Sequence, residues 1–273
     1  MNWPKISIIT PSYNQGHYLD QTIRSVLDQE YPNLEYIIID GGSTDSSVDI
    51  IKKYASRIHY WISEHDKGQS DALEKGFSMA TGEIAAWINS DDFYEPAAFR
   101  KVAEQYLAKP FSFLCGACQM IDSNDRPLQK LYTPSITYQS LLLYWKPHFC
   151  PPQPSIFFRT AILRELGYFD ISLRYAMDFD LWLKASEKHR FHCIPDNLSW
   201  YRVHSDSKTG STGGLRKFIP EWRRVIARSL HHRSFLVRGI FHLREYNHLL
   251  KEKYRRSFPL RGFKRSLKKW LPQ

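Results

Sequence analysis

The 273 residues suffice for one large domain or a domain with an appendage, and 42% hydrophobic content can bury a core without disulfides or a structural metal. The formal charge of +10 is uneven. Residues 214–273 hold 17 Lys and Arg against 3 acids, whereas the 213 residues before them hold 21 against 25. A slightly acidic body with a basic tail points the tail to an anionic surface, either lipid or nucleic acid, although the acidic body and the lack of a reading motif argue against a nucleic-acid binder.

The opening "MNWPKISIITPSYNQ" has no basic n-region and too short an apolar run for a signal peptide. No run of about 18 apolar residues suggests a membrane span. A reducing cytoplasmic setting is therefore expected. Cys115 and Cys118 form a lone CxxC inside the apolar run "FSFLCGACQMI" and read as core residues, with Cys150 and Cys193 apart from them.

The elements alternate along the first half. "KISIIT" (5–10) is a β-branched strand that Pro11 should end, and 17–29 has helical apolar spacing. "EYIIID" (35–40) is a buried strand. The stretch 43–55 opens on capping Ser and Asp residues and continues as a helix. Strands over 58–63 and 83–89 alternate with helices over 69–80 and 96–108, the last with Pro96 in its first turn. Beyond these, "FSFLCGACQMID" is a strand, 148–170 a Pro-rich loop, short strand and helix, 174–188 a helix, and 198–206 a last strand. "SDSKTGSTGG" (205–214) has linker composition. It separates a body of 1–210 from a basic, aromatic-rich helical extension of 211–273.

Repeated strand–helix–strand units predict an α/β fold, a mostly parallel sheet flanked by helices. Ligands of such sheets bind beyond the carboxyl ends of the strands. Pro11–Asn14, Asp40–Ser43, Glu64–Lys67 and Asn89–Asp92 all follow strand ends and should line one edge. Asp91 and Asp92 offer hard oxygen ligands for Mg²⁺ or Mn²⁺, or form a polar turn before Pro96. Asp40, beside Gly41 and Gly42, can meet a nucleobase or ribose, or cap the next helix. Asp178 and Asp180, two apart at a helix start, point to different sides, so only one can face a site. His204 is a ligand candidate or an ordinary structural histidine.

In order, these segments resemble the family 2 glycosyltransferases with their Rossmann-like nucleotide-diphospho-sugar transferase fold. "SIITPSYNQGHYLDQTIRSVLDQEYPNLEYIIIDGGSTDSS" is similar to the family's nucleobase-binding opening. "DKGQSDALEKGFSMATGEIAAWINSDD" is similar to the block that ends in a DxD-like metal and ribose site. "GYFDISLRYAMDFDLWLK" is similar to the acceptor-side block with the catalytic acid, and "WYRVHSDSKT" to the strand that closes the site. The likeness covers roughly residues 5–210.

The resemblance implies that Pro11, Tyr13 and Asp40 contact the base and that Lys67 and Asp71 touch the nucleotide. It implies that Asp91 meets ribose or sugar, Asp92 holds the metal and His204 adds a metal or diphosphate contact. Asp178 would be the general base. Asn89 stands where the family often has the first DxD aspartate; it can bond ribose but brings no charge, leaving Asp92 as main metal ligand. Met177 stands where many members have an acid, and no QxxRW motif occurs, which argues against a processive synthase.

The implied enzyme is an inverting, metal-dependent transferase moving sugar from a nucleoside diphosphate, with uridine diphosphate the base expectation, to an acceptor hydroxyl. The acceptor would be a saccharide or lipid-linked molecule in cell-surface polysaccharide or glycolipid synthesis, met on the cytoplasmic face of the membrane. Acceptor contacts are expected in 130–165, with Gln153 among them. The competing expectations are a catalytically inactive nucleotide-sugar-binding protein and, for the basic tail, packing on the body or an oligomer contact instead of an anionic membrane.

Overall fold

The computed structural model describes residues 2–146, 150–212 and 214–257; the basic stretch expected over 258–273 lies outside the described residues. In chain order the elements are β1 (Ile6–Ser12), α1 (Gly16–Leu27), β2 (Leu34–Asp40), α2 (Ser47–Lys53), β3 (Tyr60–Ser63), α3 (Gln69–Met79), β4 (Ile84–Trp87), β5 (Phe93–Tyr94), α4 (Ala98–Ala108), β6 (Phe113–Ile121), β7 (Pro127–Leu131), α5 (Tyr138–Leu141), β8 (Ile156–Arg159), α6 (Thr160–Glu165), α7 (Met177–Lys188), β9 (Phe191–Arg202), α8 (Ile219–Leu230) and α9 (Phe235–Ser257).

The strands form one sheet in the order β3-β2-β1-β4-β8-β6-β9-β5, with β7 paired to β6. The expected parallel, helix-flanked sheet is present from β3 to β4 and again between β6 and β9. Antiparallel β8 joins these two parts.

Alternation along the strands divides the core. Ile9, Ile37, Ile39, Ala85 and Trp87 face one side, under α3, α6, α7 and α8. Ile6, Ile8, Tyr36, Ile38, Ile84 and Ala86 face the other, under α1, α2 and α4. Such two-sided burial explains why these strands are continuous apolar runs. Helix α3 comes close enough that a Cβ on Gly76 would lie 2.6 Å from Ile9 Cγ2, so glycine permits the contact.

Strand β1 runs two residues past the expected end. Pro11 pairs with Ile39 and Ser12 with Asp40, while pairing to β4 stops at Ile9. Proline is tolerated because that flank of β1 no longer needs a donor. The two-residue β5 and the polar, largely exposed β7 give no apolar periodicity and were not expected. Helix α4 starts at Ala98, after Ala97 in the left-handed region (φ 60°), and not at Pro96.

The extension is not wholly separate from the body. Phe218, Trp222, Val225, Ile226 and Leu230 belong to the same buried cluster as Trp87 and Trp182. Burying each such side chain is worth about 1.5–3 kcal/mol over leaving it in water. Helix α9 rests on Phe241 and Glu245, both buried, and Glu245 Oε1 accepts from the Tyr144 hydroxyl at 2.7 Å. Among the described residues, no helix is long and apolar enough to cross a membrane.

Candidate active site

The strand-end clusters do meet at one edge. Register places Ser12 beside Asp40 and Asp40 beside Ser63. The loops are stitched together by Asn14 N–H to Ser43 Oγ and Thr44 N–H to Asn14 Oδ1, both 2.8 Å. Pro11 is buried, and Tyr13 stands 60% exposed above it, open to a flat ligand.

Asp40 is fully buried and its carboxylate is occupied. Oδ2 accepts from Ser43 N–H (2.8 Å) and Ser63 Oγ–H (2.7 Å), and Oδ1 from Ser43 Oγ–H (2.6 Å). Gly41 has a definite reason to lack a side chain: a Cβ there would lie 2.7 Å from Asp66 Oδ2. Asp66 also accepts from Gly68 N–H at 2.7 Å, which turns the chain into α3. Lys67 is exposed at the rim. Asp71, in the first turn of α3, accepts from Lys67 N–H at 3.2 Å and pairs with Lys75 at 3.5 Å.

The two adjacent aspartates divide sharply. Asp92 is wholly buried; its Oδ1 accepts from Arg202 N–H at 2.8 Å and its Oδ2 from Asn89 Nδ2–H at 3.2 Å. Burial, and then the neighbouring charge of Asp91, push its pKa well above the ordinary carboxylate range. Asp91 is the more exposed of the two carboxylates. Its Oδ2 lies 3.0 Å from His204 Nε2. Two cis ligands each about 2.1 Å from an octahedral cation stand roughly 3 Å apart, so this pair fits a divalent ion. No set of three or more His, Cys, Asp or Glu side chains converges for a metal among the described residues. A cation held here would complete its shell from water and donor phosphates, as is usual for Mg²⁺.

Arg202 holds this arrangement in place. It is buried, donates through Nε to Asp91 O at 2.9 Å and through Nη2 to Gln21 Oε1 at 2.6 Å, and pairs with Asp125. Its guanidinium also lies 4.6 Å from the Tyr18 ring centroid. Asn89 joins the edge to its surroundings, with Gln69 Nε2–H donating to its Oδ1 at 2.6 Å and its own amide donating to Gln153 Oε1 at 3.2 Å. Gln153 is buried and also donates to Trp87 O at 2.8 Å, so it braces the metal loop.

The two aspartates of α7 behave as their spacing requires. Asp180 is buried against the extension, bonded to Arg228 at 2.5 Å and Lys184 at 2.7 Å. Asp178 is half-buried and takes only the N–H of Phe179 at 2.7 Å among its resolved hydrogen bonds. Burial raises its pKa, and the Lys208 charge partly offsets this. Burial lowers the Lys208 pKa; the charges of Asp178, Glu221 and Asp91 act against that shift and the charge of Arg174 adds to it.

The start of α7 has no side-chain cap of its own. Glu221 from α8 supplies one, accepting from the N–H groups of Arg174 (3.1 Å), Tyr175 (2.7 Å) and Ala176 (2.8 Å). Arg202, Lys208, Gln69 and Glu221 were all missed in the sequence. Only the clustering of Arg202 with His204 in "YRVH" gave any signal; Lys208 was hidden in linker composition and Glu221 in a basic tail.

A curled, mostly parallel α/β sheet flanked by helices is the GT-A fold of glycosyltransferases. The profile described as glycosyl transferase family 2 matches residues 7–166, and the chain belongs to that family. It is 28% identical over 209 residues to an uncharacterized glycosyltransferase of Nostoc sp., covering 73% of this chain and 65% of that protein. It is 35% identical over 147 residues to TuaG of Bacillus subtilis, whose name assigns it to teichuronic acid biosynthesis, covering 52% of this chain and 58% of TuaG. The chain thus spans less than two thirds of each of these relatives.

Among solved structures, S. aureus TarS 1–349 in complex with UDP-GlcNAc aligns with TM-score 0.67 at 21% identity, over 84% of this chain and 68% of that one. A mannosyltransferase of Pyrobaculum calidifontis in complex with GDP-Man and Mn²⁺ aligns with TM-score 0.57 at 20% identity, over 76% and 59%. At these identities the structures support the fold.

Proposed function

We propose that this glycosyltransferase moves a sugar from a nucleoside diphosphate, with a uridine diphosphate sugar the leading donor, to an acceptor hydroxyl with inversion. The observation that supports this reading most is the Asp91–His204 pair at the strand-end edge, with the charges of both Asp91 and Asp178 acting on the one Lys208 ammonium. Tyr13, Pro11 and Asp40 form the base end, and Asn89 and Asp71 lie along the nucleotide's path. Asp91 and His204 hold a divalent cation, Mn²⁺ or Mg²⁺. When bound, that cation neutralises charge on the departing diphosphate. Asp92 acts beneath them, fixing Asp91 through the loop rather than touching the metal.

Asp178, as carboxylate, takes the proton of the acceptor hydroxyl. The hydroxyl oxygen bonds the anomeric carbon while the bond to the diphosphate oxygen breaks on the far side. One displacement therefore inverts the centre.

The name of TuaG and the bound donor of TarS support polysaccharide synthesis and a uridine nucleotide. A membrane-face location draws support from α9. Leu236, Ile240 and Leu243 lie on the side of α9 away from Phe241 and Glu245 and are 73%, 54% and 61% exposed. Arg244 and Lys251 flank them, as in helices that lie on anionic lipid.

The test is a melting-temperature screen of uridine, guanosine and thymidine diphosphate sugars with and without Mn²⁺, followed by radiolabelled transfer to an acceptor panel. Metal-dependent stabilisation by one donor class and labelled product are expected. Stabilisation with no product from any acceptor would favour a nucleotide-sugar binder without transfer.

A further inference from the structure

Immediately after His204 the chain folds into a tight turn around Ser207, a buried residue. Ser207 Oγ accepts from His204 N–H at 3.2 Å and Gly210 N–H at 3.0 Å and donates to His204 O at 2.8 Å, and Ser211 N–H reaches Ser207 O at 2.9 Å. Tyr201 and Thr209 join their hydroxyls across its base. This closed turn directs Lys208 back into the cleft. Its Nζ donates to Gln69 Oε1 at 2.5 Å and to Arg174 O at 2.7 Å.

Both of those acceptors are neutral. An ammonium carries three donors, so two hydrogen bonds leave it one donor and its full charge. Burial and the charge of Arg174 disfavour that charge, while Asp178, Glu221 and Asp91 support it. Gln69 also donates to Asn89 Oδ1 at 2.6 Å, which ties the ammonium to the loop that carries Asp91, where the transferase reaction proposed above places the departing phosphate. Lys67, the lysine expected to touch the nucleotide, is exposed at the rim by comparison.

We propose that Lys208 is a ligand of the donor's terminal phosphate, delivered by the turn after β9 and set by Gln69 and the Arg174 carbonyl. It donates a hydrogen bond to the phosphate oxygen that receives the electron pair when the bond to the anomeric carbon breaks, and it remains protonated throughout. The acceptor's proton goes to Asp178, so the step balances without proton transfer from the lysine. This inference rests on the donor reading and adds to it the group that reads the second phosphate.

The experiment is calorimetric titration of the full chain, at fixed Mn²⁺, with the nucleoside diphosphate that binds best and with its monophosphate. Hydrogen bonds to charged groups are worth enough that Lys208→Met should weaken diphosphate binding roughly 10- to 100-fold. Monophosphate binding should stay within about twofold, since hydrogen bonds the lysine does not make are untouched. Lys208→Arg should recover most of the loss. An unchanged ratio of diphosphate to monophosphate affinity in Lys208→Met, whether both fall together or neither moves, overturns the role of Lys208 and leaves the donor reading standing. If the unaltered chain binds no uridine, guanosine or thymidine diphosphate, both fall.

Discussion

At the amino end of β2, the Glu35 carboxylate is closed into the sheet by Lys5 Nζ (2.7 Å), Ser7 Oγ (2.5 Å), Thr81 N–H (2.7 Å) and Thr81 Oγ1 (2.6 Å). Burial acts to raise its pKa, yet these donors hold it down at about 2. At the carboxyl edge the sign is reversed. Asp92 and Asp178 both sit above the usual carboxylate range, burial being the first cause in each, because their donors are too few to compensate. One end of the sheet uses its acid to bind β1, β2 and the chain after α3 together. The other keeps buried acids whose charged form is poorly compensated, and perturbed groups of that kind cluster at functional sites.

Breaking the carboxyl edge should give the largest effect. Asp178→Asn is expected to lower transfer by ~10²–10⁴, the usual worth of general-base assistance, with donor affinity unchanged by titration. Because burial raises the Asp178 pKa, the base is lost by protonation sooner than an ordinary aspartate would be. Transfer in the unaltered enzyme should therefore fall with decreasing pH through a value above ~3.9. A second change separates the paired aspartates: Asp91→Asn should weaken Mn²⁺-dependent nucleotide binding about a hundredfold, at least what loss of a supporting group costs a metal site. Equal metal dependence in Asp91→Asn would restore Asp92 as the ligand.

The amino end should answer in stability and not in chemistry. Glu35 has its pKa depressed on folding, so its contribution is fully present above the unfolded value near ~4.3 and is lost as pH falls through the folded value. With the folded value at about 2, that contribution is about 3 kcal/mol at neutral pH. Urea denaturation of Glu35→Gln should show a loss of this order at pH 7 and little difference from the unaltered chain at pH 2. Turnover per folded molecule should not change.

The amino-terminal half was legible because its strands are buried on both faces and so appear as apolar runs, each ending in a polar cluster. Geometry alone then brought Pro11, Asp40, Asn89 and Asp91 to one edge. The different surroundings of Asp91 and Asp92 were not legible. Adjacent residues differ in burial only through β9, whose Arg202 backbone and His204 side chain claim one aspartate each. Those contacts span more than 100 residues of chain and leave no local pattern. The C-terminal side was harder for the same reason. Lys208 sits in a stretch composed like a linker, and Glu221 is one acid among many basic residues, so neither composition nor periodicity marks them.

Glu221 offers the smallest and most specific break in the contrast, since it carries the basic extension into the site. Its two oxygens take three N–H groups at the start of α7, and its charge is one of the influences that raise the Asp178 pKa. Glu221→Gln keeps one acceptor oxygen and removes the charge. Loss of part of a helix cap should cost about 1 kcal/mol in denaturation. The acid limb of the transfer profile should also move to lower pH, because Asp178 no longer faces that negative charge. A purely mechanical brace would lower stability and leave the limb where it was. Movement of the limb would mean that α8, outside the segment matched by the family profile, helps to tune the base.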